Sequence, residues 1–306
     1  WLAATVTAVA ALGLIPYIAL QLKAVAMSFS MITTRSVSAE PPPLLGDSAL
    51  YVAGLMALFA ILFGARRADV SEQNRGLVLA MAVESVFKLV AMLVLGLFVL
   101  WWLPRGVDTA LPLQQASQVL PTSGGFLPLL LLGALAMFLL PHQFHMAVVE
   151  CRDDRGQRTA RWLFPLYLLL MSLPILPLAR AGSALLGNEV HSDMYTLALP
   201  FAAGQQGVAL LAFLGGLSAA TGMVVVSVLT LSLMIGNHWF APGLLRGAWS
   251  RRDGGDRRHE LLWLRRIVIC LTMFMAWGYS RVIGQSDVLA DIGAVSFSAL
   301  ATLLPV

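Results

Sequence analysis

The sequence predicts an all-α integral membrane protein, and three observations carry that prediction. Of the 306 residues, 58% are hydrophobic and only 12% charged, and the mean hydropathy of +0.81 lies far outside the range of water-soluble domains. The apolar runs are mostly about 20 residues or longer, the length a helix needs to cross roughly 30 Å of hydrocarbon. Strand-like alternation of polar and apolar residues is absent, which argues against a transmembrane barrel.

Eight spans are expected, at about 1–29, 47–64, 77–102, 126–149, 162–182, 206–236, 261–280 and 287–305. The first carries Pro16 in its middle, where a kink is expected, and Lys23 about two turns from its extracellular end. Lys23 either snorkels to that surface or faces the bundle interior; Gln21 beside it adds little. The third span holds Glu84 and Lys88. The fourth ends in "LLPHQFHMAVVE", 139–150, and the fifth carries Pro165, Pro174 and Pro177, so it too should bend. The sixth contains the small-residue run "FLGGLSAATGMVVVSVLTLS", 213–232.

Charge sets the orientation. The loops 65–76, 151–161 and 246–266 hold fourteen arginines, whereas the intervening loops hold only Arg35, Arg105, Arg180 and Arg281. The basic set is therefore cytoplasmic, with the start of the first helix inside. The pI near 9.4 follows from these arginines and reflects topology and weak contact with anionic lipid heads, not nucleic-acid binding.

Several chemistries are not encoded. There is no phosphate-cradling glycine loop, no paired-cysteine metal spacing and no convincing Ser-His-Asp arrangement. Cys151 at a cytoplasmic helix end and Cys270 inside a span are not expected to form a disulfide. "HELLWLRR", 259–266, has the outline of a phosphoacceptor box but runs directly into an apolar span, so His259 is expected at the cytoplasmic start of a helix and the chain is expected to have no enzyme chemistry of its own. No signal peptide is visible. The chain opens at Trp1 inside one apolar run and stops at Val306 inside another, so a fragment of something longer, incomplete at both ends, is expected.

The informative residues are the polar ones within the spans, because an ionisable group in hydrocarbon costs about 3 kcal/mol or more. Glu84 and Lys88 stand at i and i+4 and share a helix face, as a structural ion pair or as a proton or ion relay. Pro141 cannot donate a backbone hydrogen bond, so the fourth span should break near it. A broken helix at membrane depth frees backbone groups for a substrate or ion site, and His142, Gln143 and His145 add donors and acceptors there. The alternative is a proline kink near the cytoplasmic surface whose histidines reach water. In the sixth span, Gly215, Gly216, Ser218, Ala219, Ala220, Thr221 and Gly222 either let neighbouring backbones approach closely or contribute hydroxyls and carbonyls to a monovalent cation.

"GLIPYIALQLKAVAMSFSMIT", "LLPHQFHMAVVE", "DMYTLALPFAAGQ" and "FLGGLSAATGMVVVSVLTLS", in this order and spacing, resemble the sodium:solute symporter family, and more narrowly its branch fused to bacterial sensor histidine kinases. The similarity covers essentially the whole chain. It implies a leucine-transporter-like inverted-repeat fold, with the eight spans resembling core helices three to ten. The stretch around Pro141 matches the broken sixth core helix, so the resemblance places His142, with Phe144 and His145 behind it, at substrate-contacting positions. The glycine-rich stretch matches the eighth core helix, which binds sodium in symporters. Ala219 would be its alanine, but the hydroxyl pair falls on Gly222 and Met223, with Thr221 adjacent. The family's aspartate before the fifth core helix is replaced by Asn74. These departures put sodium coupling in doubt and leave protons, carried by Glu84, His142 or His145, as the other candidate.

The expected function is therefore a bacterial inner-membrane module that binds and translocates a small solute, an amino acid such as histidine or proline by family analogy. It would feed a cytoplasmic histidine kinase in the same polypeptide. An ordinary sodium- or proton-coupled symporter without a signalling partner is the alternative, and a structural membrane scaffold the third. The expected partners are the solute and the lipid bilayer, with no nucleic acid and no cofactor beyond sodium or a proton as coupling ion.

Overall fold

A computed structural model describes residues 1–34, 46–64, 75–101, 126–149, 154–187, 190–240, 258–282 and 289–303. Asn74, Cys151 and most of the proline-containing segment 30–46 lie outside the described residues, as do half of the fourteen arginines that set the topology.

The described residues are nearly all helical. α1 (Leu2–Thr34), α2 (Ser48–Gly64) and α3 (Arg75–Trp101) come first, followed by α4 (Phe126–Leu139) and a short α5 (Pro141–Phe144) that continues as a π turn (His145–Val149). Then come α6 (Asp154–Ser172), α7 (Ile175–Leu186), α8 (Tyr195–Ala202), α9 (Gln206–Ile235) with its own π turn (Gly236–Phe240), α10 (Arg258–Val282) and α11 (Leu289–Ala301). Five of these stretches are long and apolar enough to cross a membrane: Leu2–Thr33, Val78–Trp101, Arg158–Leu186, Gln206–Phe240 and Glu260–Val282. Two shorter apolar helices, Ser48–Leu62 and Asp291–Ala301, coincide with expected spans.

The prolines act unequally. α1 runs unbroken through Pro16 and α6 through Pro165, whereas Pro174 sits in the turn that separates α6 from α7. Pro141 does break its helix. The residue before a proline is pushed out of the α region, and Leu140 is extended at φ −83°, ψ 112°. Pro141 then opens α5 as its first residue, where its missing N–H costs nothing.

α9 is the hub, packed against α1, α2, α3, α8 and α10. The main core joins Ile18 and Leu22 of α1, Met56 of α2, Val224, Val225 and Val228 of α9 and Ile269 and Met273 of α10. A second cluster ties Leu95, Phe98 and Val99 of α3 to Leu178 and Ala181 of α7 and Leu199 of α8. Gly215 and Gly222 on α9 serve close packing, whereas Gly216 is exposed with open space beside it. A methyl added at Gly215 would stand 2.7 Å from Ala91 Cβ, and one added at Gly222 would collide with the Glu84 carboxylate. Gly215 and Gly222 are one heptad apart, as are Ala91 and Glu84, so antiparallel α3 and α9 meet along a seam of small side chains.

Candidate functional site

The break after α4 places the first group of polar side chains. Fourteen helical residues advance about 21 Å, so a helix entering a 30 Å hydrocarbon layer at Phe126 brings Pro141 to about 9 Å from the opposite face. His142 follows at once and is buried, with 2% of its surface exposed. Its ring stacks on Tyr17 of α1, with centroids 5.5 Å apart and planes inclined by 22°. Tyr17 also meets Phe297 of α11, at 5.9 Å. Neither Nδ1 nor Nε2 of His142 has a hydrogen-bonding partner among the described residues. A buried imidazole that leaves a donor and an acceptor unused forgoes stabilisation on the order of 1–3 kcal/mol for each group.

The neighbouring candidates fall differently. Phe144 is 48% exposed, so it faces away from the buried side on which His142 lies; His145 is half-buried and opens the π turn. Tyr17 was not legible as a site residue; its one signal is a polar-tipped aromatic directly after Pro16. Beside Tyr17, a cleft of about 540 Å³ is lined by Gln21, Leu132, Gly133, Gly293 and Phe297, between α1, α4 and α11.

The second group brings together two sets of residues that the sequence lists apart. Glu84 and Lys88 of α3 form an ion pair at 3.6 Å, with 10% and 15% of their side chains exposed. The Glu84 carboxylate lies against Gly222 of α9, in space that only glycine leaves. Glu84, Ser218, Thr221 and Gly222 line one cleft of about 440 Å³ together with Phe59 of α2. The Thr221 hydroxyl is already engaged, donating to the Leu217 carbonyl one turn back at 2.7 Å. Ala219 is half-buried on the same helix. A carboxylate and an ammonium therefore stand where the glycine-rich stretch alone offered a cation only hydroxyls and carbonyls. Among the described residues, no group of three or more His, Cys, Asp or Glu side chains is placed to hold a metal ion.

Two further polar clusters tie the ends of the bundle. Asp47, buried just before α2, accepts from the Ala49 N–H at 2.9 Å, from Trp277 Nε1 at 2.9 Å and from Arg281 Nη1 at 3.2 Å. The first bond caps α2 and the other two join it to the end of α10. The Arg281 guanidinium also lies 5.8 Å from the Trp277 ring centre. At the opposite end, the buried Thr7 hydroxyl pairs with His238 Nδ1 at 2.7 Å and Trp239 Nε1 donates to the Ala4 carbonyl at 3.1 Å, so the π turn after α9 is fastened to the start of α1. Lys23 is buried, with 8% of its surface exposed, so it belongs to the bundle interior and does not snorkel. His259 lies at the start of α10, where a helix beginning was expected. Cys270 is exposed on α10 with a free thiol.

No family model matches the chain, and comparisons with curated proteins and with solved structures return no match. Fold and site define a multi-pass α-helical membrane architecture with a broken helix and an internal ion pair.

Proposed function

We propose that the chain is a transporter-like membrane module which binds a small polar solute at the broken helix and carries it across a bacterial inner membrane. The proposed solute is an amino acid such as histidine or proline. The observation that carries this reading is His142. It is an imidazole almost wholly buried beside a helix break, stacked on Tyr17, with both ring nitrogens unpartnered among the described residues. Packing alone would be served better by an apolar side chain, since an unsatisfied buried polar group destabilises the fold. The finer architecture proposed is the leucine-transporter-like inverted repeat, with eight spans resembling core helices three to ten.

Solute binding at the break would favour one of the inward- or outward-facing states, and a cytoplasmic histidine kinase in the same polypeptide would read the shift. The second reading is a coupled symporter without a signalling partner. The Glu84–Lys88 pair against Gly222 favours coupled translocation, because an ionisable pair within a transmembrane helix is the kind of group that carries a proton or competes with a cation.

The test is uptake of radiolabelled amino acids by full-length protein in proteoliposomes under imposed sodium or proton gradients, with His142→Ala alongside wild type. Uptake lost in the variant supports His142 as a solute contact. Proton-driven uptake without sodium stimulation assigns the coupling ion, and sodium-stimulated uptake overturns the doubt about sodium. Saturable binding without uptake points to a receptor that keeps a transporter's architecture. Uptake unchanged in the variant removes His142 from the pathway.

A further inference from the structure

Hydroxyls on buried helices ordinarily have an easy partner, the carbonyl one turn back. This protein uses it repeatedly. Thr7 donates to Ala3, Thr221 to Leu217, Ser232 to Leu229 and Ser296 to Ile292, all at 2.7–2.9 Å. Ser227 and Thr230 of α9 depart from the pattern. Ser227 is 0% and Thr230 5% exposed, and neither Oγ of Ser227 nor Oγ1 of Thr230 has a hydrogen-bonding partner among the described residues. Both hydroxyls have forgone a bond that four neighbours in the same protein make.

Their position explains where they point. Met223 and Leu231 of α9 pack in one cluster with Leu14 and Tyr17 of α1 and Phe297 of α11. Ser227 stands four residues from each of these two, midway along the same stripe, and Thr230 stands seven residues from Met223 on the same side of the helix. The short helix α5, which carries His142, packs against α9 as well. Tyr17 therefore joins the His142 ring stacked on it to the cluster that contains this α9 stripe.

We infer that Ser227 and Thr230 belong to the same binding site as His142 and hydrogen-bond a polar group of the bound solute. The inference rests on the proposed solute site at the broken helix and deepens it. The α9 contribution moves about one and a half to two and a half turns along the helix from Thr221 and Gly222, whose surroundings are taken up by the Leu217 carbonyl and the Glu84 carboxylate. The resulting lining of imidazole, phenol and two hydroxyls holds no carboxylate or ammonium, so it selects by donor and acceptor geometry and by stacking.

The distinguishing property is opposed effects on stability and binding. A structural hydroxyl stabilises the fold, so its removal lowers the unfolding temperature. A hydroxyl kept for a ligand is an unsatisfied group in the free protein, so its removal leaves that temperature unchanged or raises it while weakening binding. The experiment uses full-length protein in nanodiscs: wild type, Ser227→Ala, Ser227→Cys, Thr230→Val and the control Thr221→Val. Thermal unfolding is measured alone, with each of the twenty L-amino acids, and with sodium chloride against choline chloride. Saturation binding then uses the amino acid that raises the wild-type midpoint most.

Ser227→Ala and Thr230→Val should unfold no earlier than wild type without ligand and should bind about tenfold or more weakly, as expected for one lost hydrogen bond of about 1.4 kcal/mol each, while Thr221→Val binds normally. Wild-type affinity in both hydroxyl variants overturns the inference and leaves the His142 site standing. An unfolding temperature lowered in Ser227→Ala and restored in Ser227→Cys shows a packing role and overturns it too. A midpoint raised by sodium alone and insensitive to amino acids, with the rise lost in both variants, would reassign the hydroxyls to a cation. If no amino acid shifts or binds wild type, the proposed amino-acid site fails and this inference falls with it.

Discussion

Asp47 offers the sharpest energetic prediction. Replacing it with alanine removes one carboxylate that serves three donors: the Ala49 N–H at 2.9 Å, Trp277 Nε1 at 2.9 Å and Arg281 Nη1 at 3.2 Å. The contributions differ because the partners differ in burial. Trp277 is 8% exposed, so its indole N–H is left without water or partner, costing about 2 kcal/mol. The Arg281 side chain is 25% exposed and recovers much of its lost interaction from solvent, so its share is about 1 kcal/mol or less. Loss of the helix cap costs about 1 kcal/mol. The expected destabilisation is about 4 kcal/mol in a reversible unfolding titration in mixed micelles. Double-mutant cycles separate the shares: the coupling of Asp47→Ala with Trp277→Phe should exceed its coupling with Arg281→Met. A total cost under about 1 kcal/mol, or a larger coupling to Arg281 than to Trp277, would refute the reasoning that burial ranks these bonds.

The remaining predictions concern the seams between helices. Gly215→Ala sets a methyl 2.7 Å from Ala91 Cβ, which has no torsion with which to retreat, and should destabilise by about 1–3 kcal/mol in the same titration. Gly222→Ala meets the flexible tip of the Glu84 side chain and displaces it from its place beside Lys88, so it should be only mildly destabilising in wild type, by about 1 kcal/mol or less. In a Glu84→Ala background it should become neutral or stabilising by up to about 1 kcal/mol, the ordinary helix preference for alanine over glycine. Thr7→Val removes the partner of His238 Nδ1 but keeps the side-chain shape, and should cost about 1 kcal/mol with little change in Thr7→Ser. Pro141→Ala removes the cause of the extended Leu140, and solute uptake should be lost in the proteoliposome assay.

How legible the molecule was in its sequence depends on whether the cause is local. The helical, membrane-type architecture and the break at Pro141 rest on composition and on a single residue's covalent geometry, and both are found. At Pro16 and Pro165, where only a kink is expected, the helices continue through. The sequence paired Glu84 with Lys88 because i and i+4 share a face, and it picked out Thr221 and Gly222 as a separate candidate. That the carboxylate rests on Gly222 is tertiary, set by the antiparallel register of α3 and α9, and no spacing within one helix reveals it. Tyr17, Asp47, Thr7, His238, Ser227 and Thr230 were missed for the same reason. Each is an ordinary residue for its segment and acquires meaning only from a partner, or the lack of one, on a helix far away in the chain.

The seam between α3 and α9 also has a mechanical side. Interfaces that interlock through large side chains resist sliding, because each knob must climb out of its hole; faces of glycine and alanine present little corrugation, and shear between packed helices is correspondingly easy. At Gly215 and Ala91 the contact is only methyl-sized, but at Gly222 the Glu84 carboxylate sits as a single protrusion in a notch. Translation of α3 along α9 at this point would have to move a charged group tethered to Lys88 at 3.6 Å, so loosening that tether lowers this local resistance.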